Sequence, residues 1–300
     1  MNLSALGFIG FGEAAFHISS GLQTEGIPRI YAFDIMADDP NIGPLVKTRA
    51  GSANVGLVSS LKDLLEKADL VLCATSAKVA LPIAKEAVAF VKKGQIYADL
   101  NSTSPKIKQE IGLVMGQAGA LFVDVAVMEL VPPHRHKVPV AVSGEGARQF
   151  KEMLSPYGMS ITYVSERAGG SSALKMLRSI FMKGLTALLL ETLTASHKAG
   201  VDTEIMASLS NTLNNHPFEE LVNMLLTRTS VAAERRVAEM SEVISTLQEM
   251  GVDYSASLAT RGKLQALVAL ELKTHFNHKA PEHYTQVLDA IVQLSENNKK

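Results

Sequence analysis

The chain is poor in several features that would otherwise settle its class. It has one cysteine, Cys73, in the apolar run DLVLCAT, so no internal disulfide framework exists. The thiol reads as a small core side chain, as suits a reducing cytoplasm. Lys+Arg number 29 against 30 Asp+Glu, and without a basic excess nucleic acid is not an expected partner. Nor is a membrane, because no stretch reaches the roughly 18 uninterrupted apolar residues of a span. The nearest, SIFMKGLTALLLETLTA, is broken by Lys183 and Glu191. The apolar start MNLSALGFIGFG carries no basic n-region, which speaks against an export signal. Internal repeats and low-complexity segments are missing as well. What remains is the expectation of a soluble, unexported, globular protein.

The composition that is present, 300 residues with 47% hydrophobic and 20% charged, supports a packed core and about two domains. Up to residue 165, short apolar runs alternate with amphipathic segments, the pattern of βαβ units and a parallel sheet. Strands are expected at Ser4–Ile9, Ile30–Phe33, Leu70–Ala74, Ile96–Asp99, Phe122–Val127, Val138–Val142 and Ile161–Val164. Between them GEAAFHISSGLQTEG, SSLKDLLEKA, AKVALPIAKEAVAFVKKG, SPKIKQEIGLVMGQAG and GARQFKEMLSPYG carry helical spacing and mostly end at glycine. After residue 166 the strand signals stop. Segments 170–199, 203–213, 217–227, 229–250, 253–273 and 281–297 favour helix, with breaks at AGVDT, NNHPF, MGVDY and HKAPE. Domains of 1–165 and 166–300 follow, joined by the long helix at 170–199, and the terminal NNKK is expected to fray.

A glycine-rich turn comes first among the motifs. The run LGFIGFGEAAF sets Gly10-x-Gly12-x-x-Ala15 between an expected strand and an expected helix. In a dinucleotide fold the first glycine makes the tight turn, the second admits the pyrophosphate to the backbone, and the small third residue lets helix pack on strand. Asp34 closes the second strand, IYAFDIM, about 20 residues on, where a carboxylate accepts hydrogen bonds from the adenosine ribose. It would repel the 2′-phosphate of NADP, so of the two cofactors NAD is favoured over NADP. Gly10, Phe11, Gly12, Glu13, Ala14, Ala15 and Asp34 are candidate cofactor contacts. Thr75 and Ser76, after the strand at Leu70–Ala74, join them, as does Asn101.

Two further stretches stand at strand ends on the carboxyl edge of the sheet, where ligands of open α/β folds bind. In ADLNSTSP, residues 98 to 105, Asn101, Ser102 and Thr103 offer short polar groups near the nicotinamide, and Ser104-Pro105 starts the next helix. The other stretch is DVAVMELVPPH, residues 124 to 134. Just beyond it Arg135 lies between His134 and His136, either as a grip for an anionic group or as part of an exposed polar turn. The two histidines have no third ligand in the spacing, and no metal site is expected. Finally GGSSALKMLRS, residues 169 to 179, puts Lys175 into what otherwise reads as a buried helix. A buried ammonium costs several kcal/mol unless compensated, so this lysine needs a route to solvent or a task.

In this order the motifs resemble the β-hydroxyacid dehydrogenase family, which includes 3-hydroxyisobutyrate, tartronate semialdehyde and 6-phosphogluconate dehydrogenases. The resemblance covers the whole length and rests on GFIGFGEAA, DLNSTSP, DVAVMEL and the stretch around Lys175. It implies an α/β Rossmann N-terminal domain followed by an all-α C-terminal domain with a long central interdomain helix. A homodimer or homotetramer and an active site in the cleft between domains are implied too. So is the role of Lys175 as the proton-transfer group, with Ser102, Thr103, Met128, Glu129, Leu130 and Ser179 around the substrate.

The departures from the family bear on substrate. The pattern Gly169-x-Ser171-x-x-x-Lys175-x-x-x-Ser179 keeps the family's spacing, with serine in place of a common second glycine and of an asparagine. Ser171, Lys175 and Ser179 share one helical stripe. Met128-Glu129-Leu130 stands where the family's substrate loop usually reads Ser-Gly-Gly, and Glu129 repels a plain carboxylate unless a cation pairs with it. A second family lysine aligns with Ala238 before Glu239, with Arg235 and Arg236 close in sequence. The expected function is an NAD(P)-dependent oxidoreductase that moves hydride between nicotinamide and a hydroxy acid or related alcohol or carbonyl. Its substrate is a small anionic molecule, and Lys175 is the general acid/base. One rival is an imine reductase-like enzyme, a class that generally carries another residue at the lysine position. Others are a non-catalytic NAD(P)H-binding sensor or scaffold, and a decarboxylase of the 6-phosphogluconate type, for which the chain is short.

Overall fold

A computed structural model describes residues 3–297 of the chain, which divides into two compact units, Met1–Ser179 and Ile180–Lys300. Asn298, Lys299 and Lys300, where the sequence suggests fraying, lie outside the described residues. In the first unit the strands are β1 (Leu6–Ile9), β2 (Ile30–Phe33), β3 (Gly56–Leu57), β4 (Leu70–Cys73), β5 (Ile96–Asp99), β6 (Leu121–Val127), β7 (Val140–Ser143) and β8 (Ile161–Ser165). They form one eight-stranded sheet in the order β3-β2-β1-β4-β5-β6-β7-β8. The stretch from β3 to β6 is parallel and has the strand order of a Rossmann fold. β7 runs antiparallel to β6, and β8 parallel to β7.

The helices of this unit are α1 (Glu13–Thr24), α2 (Gly43–Ser52), α3 (Leu61–Lys67), α4 (Ala80–Ala87), α5 (Pro105–Gln117), α6 (Val131–His134) and α7 (Ala147–Leu154). Side chains alternate across each strand. Leu70 and Leu72 of β4 join Leu6, Phe8, Ile18, Leu22 and Phe150 in one apolar layer, while Val71 and Cys73 join Ile9, Leu64, Leu65 and Ile111 in the other. Both faces are covered, so the strands read as continuous apolar runs. Each fully buried leucine contributes about 1.5–3 kcal/mol relative to exposure. Ser104 caps α5 through Ile107 N, with Pro105 opening the helix, as the sequence indicates.

Three elements depart from the sequence reading of this unit. β3 is two residues long, and the large apolar side chains of α2, Leu45 and Val46, are adjacent in sequence, so neither has a periodic signal to read. The β6–β7 connection holds α6 and a 3₁₀ turn, Arg135–Lys137, which reverses the chain and makes that pair antiparallel rather than parallel.

α8 (Gly170–Ala199) starts in the first unit and ends in the second. The rest of the second unit is α9 (Asp202–Asn214), α10 (Phe218–Glu249), α11 (Ser255–Ala269), α12 (Leu272–His275) and α13 (Tyr284–Asn297). α10 is one helix where the sequence suggests two. Thr227, Thr229 and Ser230 turn their hydroxyls back onto carbonyls of their own helix, so they do not break it. Glu271, with φ +51°, separates α11 from α12. Among the described residues no helix is long and apolar enough to cross a membrane.

Candidate functional site

A cavity of about 490 Å³ opens where β1, β2 and β4 end, and Gly10, Gly12, Asp34, Thr75 and Ser76 all line it. Gly10 has φ +82°, and a Cβ there would stand 2.7 Å from the Ala74 carbonyl oxygen, so glycine alone suits the turn. Gly12 faces open space and precedes α1, whose first turn has no side-chain cap. An uncapped helix start behind an open glycine is the cradle that a dinucleotide pyrophosphate needs, and the cavity volume suits such a ligand. Ala15 is fully buried in the core, as the close helix–strand packing requires. Glu13 is exposed and Ala14 half-buried on the first turn of α1.

Two candidate contacts behave differently from a simple contact list. Phe11 sends its ring into the core, edge-on to Phe8 with centroids 6.1 Å apart, and its peptide N–H donates to Asp34 Oδ2 at 2.7 Å. Asp34 Oδ1 also accepts from Met36 N at 2.8 Å. The carboxylate thus holds the glycine turn, and its remaining lone pairs still face the cavity. Asp34 and Glu86 are the charged residues of the lining, and both are acidic.

From this cavity a chain of contacts leads to Lys175. Thr75 N donates to Asn101 Oδ1 at 2.9 Å, and the Asn101 side-chain amide bonds the Asp99 carboxylate, so Asn101 is turned inward. Ser102, next in sequence, is exposed and accepts from Lys175 Nζ at 3.0 Å. Thr103 is buried, and its hydroxyl has no partner among the described residues. Ser179 donates its hydroxyl to the Lys175 carbonyl at 3.0 Å, which leaves its oxygen lone pairs as the free function. Lys175 is half-buried. Burial, and after it the like charge of Lys108, hold its pKa below the ordinary 10.5.

Beneath that corner lies a group that sequence reasoning missed. Lys108 is wholly buried, 2.7 Å from Asp99 Oδ2 and 3.2 Å from Asp124 Oδ1. Its signal was present in the sequence, since the buried stripe of α5 is Lys108, Ile111 and Met115 at helical spacing, with a charge where an apolar residue belongs.

The substrate-loop candidates sit just past β6. Met128 is half-buried and donates its N–H to the Pro139 carbonyl at 2.9 Å. Glu129 pairs with His134 at 3.0 Å, and Leu130 is 76% exposed. The anion grip by Arg135 between two imidazoles does not form. His136 is buried under α1, 3.3 Å from Glu25, where Gly21 supplies the space its ring occupies. Burial holds its pKa below 6.5, against the pull of Glu25. In the second unit Arg235 is ion-paired with Glu239 on one face of α10.

Comparison with known proteins adds the following. A model of a domain of unknown function (DUF1932) matches residues 196–267. A solved structure 30% identical, described as a conserved protein of unknown function with structural similarity to 3-hydroxyacid dehydrogenases, aligns over 91% of this chain and 98% of its own, with TM-score 0.62. Mitochondrial 3-hydroxyisobutyrate dehydrogenase of Rattus norvegicus is 26% identical over 216 residues, 69% of this chain and 61% of that enzyme, less than two thirds of its length. An imine reductase from Myxococcus stipitatus shares the fold at 17% identity, with TM-score 0.71 over 96% of this chain and 99% of its own.

Proposed function

The chain belongs to the β-hydroxyacid dehydrogenase-like family as a divergent member, and from that premise we propose that it is a nicotinamide-dependent oxidoreductase acting on a small hydroxy acid or related alcohol or carbonyl. The observation that carries the reading is the Lys175 amine, 3.0 Å from Ser102 and joined through Asn101 and Thr75 to the dinucleotide cavity. Hydride chemistry belongs to the nicotinamide when it is bound. The protein supplies geometry and a proton. Gly10, Gly12 and the start of α1 would cradle the cofactor's phosphates, and Asp34 would accept hydrogen bonds from the ribose hydroxyls. An acidic lining with Asp34 and Glu86 and no lysine or arginine favours NAD over NADP.

Lys175 gives its proton to the developing alkoxide in reduction and takes it back in oxidation. Its lowered pKa brings the amine closer to the working pH, where both directions of transfer are efficient. Ser102 orients the amine and Ser179 offers an acceptor one turn along α8. The test is Lys175→Ala. NADH should still bind, by fluorescence titration, while turnover falls at least ~100-fold, the low end for a positioned proton-transfer group. Near-normal turnover ends the proposal.

One observation favours a second reading. The loop after β6 lacks the family's Ser-Gly-Gly and carries Glu129, so a cationic substrate such as a protonated imine suits it better than a carboxylate. Cyclic imines assayed beside hydroxy acids decide between the two. In the second unit Ile180 and Leu190 of α8 are 71% and 66% exposed, which suits a partner helix from a second copy. Light scattering should then report a homodimer or homotetramer, and a monomer at micromolar concentration sinks that part.

A further inference from the structure

Lys108 is not explained by stability. Three oxygens surround its Nζ: the Asp99 carbonyl accepts a hydrogen bond at 2.7 Å, while Asp99 Oδ2 at 2.7 Å and Asp124 Oδ1 at 3.2 Å are ion-pair contacts, and Oδ2 has no hydrogen-bond partner among the described residues. Yet the side chains are 0–1% exposed, and desolvating three charges costs about as much as their attraction returns. Apolar residues of similar volume would hold the fold at least as well. The cluster is better explained by what it positions.

Two arms leave it. Asp99 Oδ1 accepts the Asn101 backbone N–H at 3.4 Å and its side-chain amide, and so fixes the loop that presents Ser102. Asp124 accepts from Ser172 N at 2.9 Å and Ser172 Oγ at 2.7 Å, while its carbonyl accepts from Ser171 Oγ at 2.6 Å, so the first turn of α8 is fixed just ahead of Lys175. The arms meet again at the hydrogen bond between Lys175 and Ser102. We infer that Lys108 is a positioning residue, whose buried ammonium holds the Ser102 loop and the first turn of α8 to one pair of carboxylates and thereby sets the place and charge state of the Lys175 amine. This rests on the reading of Lys175 as the proton-transfer group. The charged group that acts on Lys175 is Lys108 from α5, itself paired with Asp99 from β5 and Asp124 from β6, while the loop after β6 carries Glu129, paired with His134. Of these, Lys108 disfavours the charged form of Lys175, second to burial.

The test uses the full chain with lysines labelled at 13Cε, so that Lys175 titrates under observation without substrate, its resonance identified by its loss in Lys175→Met. In Lys108→Gln the Lys175 midpoint should move up toward 10.5, and the matching limb of the pH–rate profile should move the same way. kcat should fall ~10- to 100-fold from lost alignment, with NADH affinity kept. If that variant does not fold, Lys108→Met combined with Asp124→Asn removes one charge of each sign and leaves the cluster's net charge as it was. An unchanged Lys175 midpoint and an unchanged pH profile in a folded variant overturn the inference. If Lys175→Ala keeps its turnover, the reading of the site fails instead, and the Lys175 titration still decides whether Lys108 positions it.

Discussion

Two corners of the sheet's carboxyl edge, one after β1 and one after β5 and β6, are held by different forces. At the glycine turn the work is done by shape, with Gly10 under the Ala74 carbonyl, Ala15 and Phe11 packed in the core, and Asp34 tying two backbone amides. At the Lys175 corner it is done by buried charge, with Lys108 between Asp99 and Asp124 and every arm a hydrogen bond. A corner built by shape fails when atoms are added. One built by charge fails when a single charge is removed, because its partners are then left uncompensated away from water.

The largest expected effect follows from that difference. Lys108→Met alone should cost about 3–5 kcal/mol in urea unfolding, the usual loss when one partner of a buried pair is removed. Adding Asp99→Asn and Asp124→Asn should recover most of it, and a triple variant as unstable as the single one breaks the comparison. The glycine turn gives the next contrast. Gly10→Ala, at φ +82°, should cost about 1–3 kcal/mol of stability. Gly12→Ala, facing open space, should stay within about 0.5 kcal/mol of the parent and still weaken NADH binding. Equal stabilities for the two would show that shape is not what holds this corner.

Asp34→Asn comes third. A neutral acceptor for Phe11 N and Met36 N should cost about 1 kcal/mol, and the preference for NADH over NADPH should narrow. An unchanged cofactor ratio removes Asp34 from the selection of cofactor. The smallest effect belongs to Lys175. Its folded pKa lies below 10.5, so between the two values the unfolded chain binds more protons and stability rises with pH, while below that window the penalty is fully present. Lys175→Met should therefore raise the unfolding midpoint at neutral pH, with a gain that shrinks as pH approaches 10.5. A gain independent of pH would trace to packing instead.

Much of this was legible in the chain. Short apolar runs between amphipathic segments marked the strands, and Gly10, Gly12, Asp34, Thr75 and Ser76, far apart in sequence, meet at one cavity as the glycine spacing suggests. Other residues were read with the wrong weight. Glu191 looks like an interruption of an apolar run, yet it accepts from Ala256 N at 2.7 Å and Ser257 N at 2.9 Å and so caps α11, whose own cap residue Tyr254 does not. His136 looks like half of an anion grip and is buried against Glu25.

The sequence by itself determined most of the elements and the glycine turn, and it singled out Lys175, because periodicity, turn chemistry and a charge in an apolar stretch are local properties. Only the tertiary structure decided what the buried charge of Lys108 means. Lys108, Asp99, Asp124 and Ser172 come from α5, β5, β6 and α8, and a buried ammonium takes its meaning from the carboxylates that folding brings within 3.2 Å of it. Desolvation and pairing are properties of the packed interior, and no spacing along the chain encodes them.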